Sequence, residues 1–430
     1  MKFSRIAHVP SFTRLEYIFG AILLCYPALL FLVRGGMNAS LFLLTILSLF
    51  LLISRKAYKN KLDRADIIFS IAMASGLTAI LLSQLYHHDL LARYFDSDAR
   101  FLLAIPVLLA LRHIGTKTLA IMQYAFPLGA IAALVAVMAA NPGGRIDAST
   151  SYMNHIHLGD MALLLGFLSL FSLNWLQADH QLVKLLKIMG LIAGLTVSAL
   201  SGTRGGWMAI PVFVFVFIYF RTNGRLFNKL LLAMLLIGVL GLLGYFFIEP
   251  IHQRLWMIYS DLSQFSGGHA DTSIGVRLQL WNAAFHLIAQ NPVFGVGAAG
   301  FARAMDGLSA AGFITPIAAG LGKGEVHNEI LAHTVRFGIF GLASILAVYF
   351  VPFVIFLRAA RSKIQQKNVA AMMGMCVTLG FFVFGLTVET FDLKMTAAFY
   401  SLTVAVLLAI ATHDAYSTPN PPPVPVENRH

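Results

Sequence analysis

Charge is what this sequence has least of. Asp, Glu, Lys and Arg make up 12% of its 430 residues, where a soluble domain carries roughly a quarter. That scarcity excludes an ordinary soluble globular chain, and a 58% share of hydrophobic residues is membrane composition. Cysteine is nearly missing too. Cys25 and Cys376 both fall inside apolar runs, which argues against a disulfide framework or a thiolate metal site. No Gly-x-Ser-x-Gly elbow and no Walker loop occurs, so a hydrolase or ATPase reading finds no support. No internal repeat is visible. No cleavable signal peptide is expected either, because the first apolar run, Leu15 to Val33, is long and ends in Arg34-Gly35-Gly36.

What the sequence has is apolar runs long enough to cross a bilayer, which takes about 20 residues. Twelve spans are expected, at 15–33, 39–54, 66–85, 99–112, 117–140, 157–176, 183–201, 206–220, 229–248, 328–357, 369–388 and 394–412. The fold class is therefore an all-α polytopic membrane protein. Nine spans fill 1–248, a long outer loop follows at 249–326, three more spans fill 327–412, and 413–430 is a proline-rich tail expected to be disordered and cytoplasmic.

Lys and Arg set the expected orientation. With the N-terminus inside, twenty of the 31 basic residues fall on cytoplasmic segments, and the alternation holds at every short loop. Both termini are then cytoplasmic. The net charge of +12 is read as a topology signal rather than a nucleic-acid footprint. Of the eleven basic residues left outside, nine are arginine: Arg34, Arg93, Arg100, Arg145, Arg204, Arg254, Arg277, Arg303 and Arg336. Arginine suits planar, bidentate recognition of phosphate or carboxylate, so this skew points to a phosphate-bearing ligand on the outer face.

Within the long loop, Arg277 to Gln290 reads as an amphipathic helix with Leu278, Trp281, Phe285 and Ile288 at helical spacing. Asp271, Thr272 or Ser273 is the expected cap, Asn291-Pro292 the expected end, and the outer membrane interface the expected location. The stretch Phe294-Gly295-Val296-Gly297-Ala298-Ala299-Gly300 reads as a flexible turn; with no strand before it, its Gly-x-Gly is not a nucleotide fold.

Three frames carry candidate chemistry. His327-Asn328-Glu329-Ile330-Leu331, followed by Arg336-Phe337-Gly338-Ile339-Phe340-Gly341, closes the loop and opens an apolar helix. Histidine is the side chain whose ordinary pKa lies nearest neutrality, suited to proton transfer; the plainer reading is an interfacial histidine beside a helix-starting Asn. Ser201-Gly202-Thr203-Arg204-Gly205-Gly206-Trp207 is a tight outer turn that lets backbone approach a ligand and presents a guanidinium. Its plainer reading is an arginine snorkelling to headgroups. Arg277 is the third, against the plainer reading of a solvated helix-face charge. Arg145, Arg303, Asn328 and Arg336 are further candidates. A metal site is not expected: Asp98 of Asp96-x-Asp98 reads as a cap of the fourth span, and His155-x-His157 diverges on a helix. Asn154-His155 has no assigned role, while Glu389 and Asp392 are read as partners for an arginine or as acceptor contacts.

Taken together, Ser-Gly-Thr-Arg204-Gly-Gly, Arg277-x3-Trp281 leading to Asn-Pro292-Val-Phe-Gly295-Val-Gly297, and His327-Asn328-x2-Leu331-x6-Gly338-x2-Gly341 resemble the bacterial O-antigen ligase family, part of a wider ligase/polymerase superfamily. The resemblance implies a GT-C-like glycosyltransferase of the inner membrane, active at the periplasmic face. It implies transfer of a polysaccharide from undecaprenyl diphosphate to the lipid A–core oligosaccharide by an inverting, metal-independent reaction with no cofactor. The partners implied are those two substrates and the surrounding lipid. The family's essential histidine and two arginines map onto His327, Arg204 and Arg277.

Three rivals are weighed. An O-antigen polymerase uses the same donor, but no outer arginine here has the glycine eleven positions on that is associated with polymerases. A protein O-oligosaccharyltransferase usually carries a further periplasmic region at its C-terminus. A lipid-linked sugar transporter tends to show paired repeats with ionisable residues at mid-bilayer, whereas charge here gathers at the outer boundary.

Overall fold

The computed structural model describes residues 13–54, 62–141, 148–221, 226–247 and 270–413, together with Glu249, His252, Gln253, Trp256, Met257, Ser260, Asp261 and Ser263. Arg145, Arg254 and the tail beyond His413 lie outside the described residues. Every regular element described is helical. In chain order these are α1 (Thr13–Leu32), α2 (Gly36–Ser54), α3 (Arg64–Tyr86), α4 (Phe95–Leu111), α5 (Thr116–Leu119), α6 (Met122–Ala140), α7 (His155–Phe171), α8 (Gln181–Ser201) and α9 (Arg204–Trp207). They continue with α10 (Ala209–Arg221), α11 (Leu226–Phe247), α12 (Ser273–Gln290), α13 (Gly300–Ala310), α14 (Pro316–Gly322), α15 (Glu329–Ala359), α16 (Gln365–Phe384) and α17 (Lys394–Thr412).

A helix stands at each of the twelve expected segments. Among the described residues, eight helical stretches are long and apolar enough to cross a membrane unaided, and His155–Phe171 and Arg204–Phe220 are shorter apolar ones. The chain is a multi-pass membrane protein. Lipid-facing Ile, Leu and Phe cover its flanks, among them Ile46, Phe50 and Ile71. The interior is built on α7, α16 and α17, which bury most of their residues.

Polar contacts gather at two opposite ends. At one, Asp63 and Asp66 form a capping box at the start of α3, and Arg112 at the end of α4 contacts both carboxylates at 2.8 Å. Arg112 also donates to Thr412 Oγ1 at the end of α17. At the other end, Ser83 of α3 donates to the Phe294 carbonyl at 2.7 Å, and Ser97 of α4 to that of Phe391. The start of α3 and the ends of α4 and α17 therefore meet at one end of the bundle, and the end of α3 and the start of α4 lie at the other. Asp98 does not cap α4, contrary to expectation. The helix begins at Phe95, and Asp98 lies buried within it, against Gly76 of α3.

In the long loop, α12 begins one turn earlier than the pattern indicates. Thr272 caps it, its Oγ1 accepting from the Gly275 N–H at 3.1 Å, and Asn291 ends it. A second apolar face, beside the expected stripe, packs inside the protein. Val276, Leu280, Ala283, Ala284 and Leu287 pack with Phe301 and Met305 of α13 and Ala318 and Ala319 of α14 into a small core of their own. Of the expected stripe, Leu278 and Phe285 are exposed, Trp281 is half-buried, and Ile288 packs against this core.

Phe294 to Gly300 is a turn, but a pinned one rather than a flexible one. Val296 and Gly297 donate their N–H groups to the carbonyls of Val335 and Arg336 at 2.8 and 3.1 Å, and Ile339 donates to Pro292 at 2.9 Å. Those carbonyls are free to accept because α15 breaks at Gly338, with φ 64° and ψ −147°. A Cβ at Gly338 would lie 2.1 Å from the Val293 carbonyl oxygen. The Asn-Pro-x-Phe-Gly frame and the Arg-Phe-Gly frame are thus one lock. Gly338→Ala should destabilise the protein by about 1–3 kcal/mol from backbone strain alone, read as a lower melting temperature in detergent. An unchanged melting temperature would show that the break is not rigid.

Candidate active site

The lock sets the entry to α15, and the loop-closing residues before it are held against the turn after α16. Glu329 N–H donates to the Gly385 carbonyl at 2.7 Å, and Asn328 Nδ2 to that of Leu386 at 3.2 Å. Val326 N–H donates to Glu389 Oε1 at 2.5 Å, and Glu389 N–H returns to Glu325 Oε1 at 2.6 Å. His327 sits in the middle of this zipper with φ 59°, a left-handed conformation uncommon for a non-glycine residue. Its Nδ1 lies 3.3 Å from Glu325 Oε1, an ion-pair distance without the alignment of a good hydrogen bond. Burial raises the Glu325 carboxyl, but the contact with His327 and the Glu389 N–H outweigh it and hold it below the usual range.

The second side of the site is the Ser201–Trp207 turn, which α9 packs against the start of α7. Thr203 Oγ1 donates to the His155 carbonyl at 3.1 Å, and Trp207 Nε1 to Ser198 Oγ at 3.2 Å. Gly206 leaves room for Asp160, whose Oδ1 would lie 2.2 Å from a Cβ there and would have to move. So anchored, the turn presents Arg204, whose two terminal nitrogens each approach Asp261 Oδ2 at 3.4 Å. At that length the neutralisation is weak.

The third side is α12. Trp281 Nε1 donates to the His327 carbonyl at 3.3 Å, which fixes this helix face beside the histidine. Arg277 is one turn earlier, half-buried, with no hydrogen bond or ion pair to its guanidinium among the described residues. Burial, then the like charge of Arg204, lowers its pKa, with Glu325 and Asp261 opposing. The structure therefore brings Arg204, Arg277 and His327 into one group, with Glu325, Asp261 and Trp281 around them.

The further candidates divide differently. Arg336 is half-buried and committed: it grips Glu389 through two nitrogens, at 2.5 and 3.1 Å. Burial pushes the Glu389 carboxyl up to about 7, against the pull of Arg336. The bidentate guanidinium and the Val326 N–H are all donors to its oxygens, and this is the geometry of a carboxylate. The reading of Glu389 as an arginine partner holds. Asn328 is the N-cap of α15, its Oδ1 accepting from Leu331 N–H at 3.0 Å, so the plainer reading of that residue holds too. Arg303 is exposed and pairs with Asp89 at 3.0 Å.

Several residues here were not singled out from sequence. Glu325, two positions before His327, carried no frame of its own. Asn154, left without a role, caps α7 and contacts His157 Nδ1 at 2.8 Å, while His157 Nε2 reaches the Glu389 carbonyl at 3.2 Å. Glu329 accepts from Thr390 Oγ1 and Phe391 N–H and contacts His333 at 3.1 Å. Among the described residues no group of three or more His, Cys, Asp or Glu is arranged to hold a metal ion.

Residues 189–346, the stretch that contains Arg204, Arg277 and His327, match the family model described as O-antigen ligase. A protein of Haemophilus influenzae described as uncharacterized is 26% identical over 287 residues, covering 66% of this chain and 71% of that protein. An O-antigen ligase of Escherichia coli is 24% identical over 215 residues, covering 46% of this chain and 50% of the relative, so the match spans half of that ligase's length. The motif order, the helical membrane fold and these similarities agree, and together they support membership of the O-antigen ligase superfamily.

Proposed function

We propose that this protein transfers a polysaccharide from undecaprenyl diphosphate to the lipid A–core oligosaccharide, with inversion and without a metal ion. The reaction takes place at the periplasmic face of the bacterial inner membrane, in a twelve-span protein with both termini in the cytoplasm. One observation carries this reading: a half-buried Arg277 with no protein partner among the described residues stands near Arg204, and Glu325 links that pair to His327. Two incompletely neutralised guanidinium groups suit a diphosphate, whose charge grows as it departs.

In the proposed step an acceptor sugar hydroxyl attacks the anomeric carbon from the side opposite the diphosphate. The new C–O bond forms as the bond to the diphosphate oxygen breaks, and undecaprenyl diphosphate leaves with the electron pair. His327 takes the hydroxyl proton. With Nδ1 turned to Glu325, Nε2 is the nitrogen that receives it. Arg204 and Arg277 meet the charge on the leaving group, and holding two lipid-anchored substrates together supplies proximity.

The test is an assay with purified protein, undecaprenyl-diphosphate-linked glycan and lipid A–core, with and without EDTA. Core-linked polymer, insensitive to EDTA, is expected. Arg204→Ala or Arg277→Ala should each lower the rate roughly 10²–10³-fold, and the lysine variants should fall between, since an ammonium lacks the fork. Longer lipid-linked glycan without core attachment would identify a polymerase, a glycosylated Ser or Thr acceptor a protein transferase, and no chemistry at all a transporter.

A further inference from the structure

A cavity of about 830 Å³ lies at the far end of α15 from His327, between the start of α3, the last turns of α15 and the end of α17. From the break at Gly338, the run of helix to Arg358 rises about 30 Å at 1.5 Å per residue, which is about the hydrocarbon thickness of a bilayer. It is no part of the transfer site. Its walls are Ile68, Phe350, Val351, Val354 and Ile355, and its mouth carries Arg64, Arg358 and Lys367. One acid, Asp63, also lines the mouth, but its carboxylate is taken by Arg112 at 2.8 Å and by the capping box. Arg64 and Arg358 are exposed and have no carboxylate partner among the described residues.

We propose that this cleft binds an anionic phospholipid of the opposite leaflet, acyl chains against the α3–α15 wall and phosphate between Arg64 and Arg358. The two-part lining selects the ligand class. A soluble anion has no use for the apolar wall, and an uncharged lipid leaves the guanidinium pair unanswered. Such a lipid would tie together α3, α15 and α17 at one end. The same α3 and α15 carry Ser83 and the Arg336 carbonyl it contacts at the other end, so the lipid braces the helices on which the Gly338 lock is built.

The experiment is native mass spectrometry of the full chain in detergent, titrated with phosphatidylglycerol or with phosphatidylcholine of the same acyl chains. Preferential retention of phosphatidylglycerol is expected, falling roughly fivefold per arginine removed in Arg64→Gln and Arg358→Gln. Val351→Trp, which fills the cleft and leaves the charge intact, should lose the preference as well. A control pair on the same end, Arg14→Gln with Lys117→Gln, should retain it. The proposal is overturned if the double arginine variant binds like the parent. It is overturned equally if the control pair loses as much, or if glycerol 3-phosphate competes as well as the whole lipid. None of these readouts depends on transfer activity, so failure here leaves the proposed reaction untouched, and the reverse.

Discussion

Replacing His327 with alanine is expected to lower polysaccharide transfer by roughly 10²–10⁴-fold, the usual contribution of a positioned general base, with insertion unchanged and only a small drop in melting temperature. The reason stability should hold is geometric. The zipper around His327 is made by the backbone N–H groups of Val326 and Glu329, the side chain of Asn328 and the carboxylates of Glu325 and Glu389. Among the described residues, the imidazole itself contributes one polar contact, to Glu325. Alanine tolerates the left-handed backbone less readily than histidine, so His327→Asn is the better control, since Asn accepts that conformation and carries no comparable base. Both variants should bind lipid-linked donor, because Arg204 and Arg277 remain. Full transfer by His327→Asn would remove this residue from the mechanism.

The second large effect concerns stability rather than chemistry. Arg336→Met should destabilise the protein by about 3–5 kcal/mol, because it strands a buried carboxylate at Glu389. Glu389 is about 1% exposed on its side chain, and among the described residues only Arg336 and the Val326 N–H donate to that carboxylate. The double change Arg336→Met with Glu389→Gln should recover much of the loss. A neutral glutamine carries no stranded charge and still accepts from Val326. If the double variant melts no higher than Arg336→Met, the pair is not coupled and Arg336 acts through something else. Because Glu389 also touches Glu325 and His157 through its backbone, the single variant should lose transfer in proportion to folded protein at least.

Helix positions were readable because the hydrophobic period and the Lys/Arg alternation are local properties of the chain. A helix stands at every expected segment, down to the cap at Thr272 and the end at Asn291. The three motif frames were readable for the same reason: each is a short run with unusual glycine, arginine or histidine. What they do to one another was not. Gly295 and Gly338 are 43 positions apart, and only the fold shows that each lets backbone approach backbone at the same lock. Arg336 looked like a site arginine beside His327, yet its side chain turns inward to Glu389, some fifty residues on.

The amino-acid sequence by itself determined a membrane-spanning helical protein with its chemistry-bearing residues gathered toward one face, since burial, length and charge asymmetry act residue by residue. Only the tertiary structure decided which arginines stay available. Arg336, Arg303 and Arg204 find carboxylates at 2.5, 3.0 and 3.4 Å, while Arg277 finds none among the described residues. That division depends on which distant acid each guanidinium meets, and pairing of that kind follows from packing across the bundle, not from any pattern along the chain.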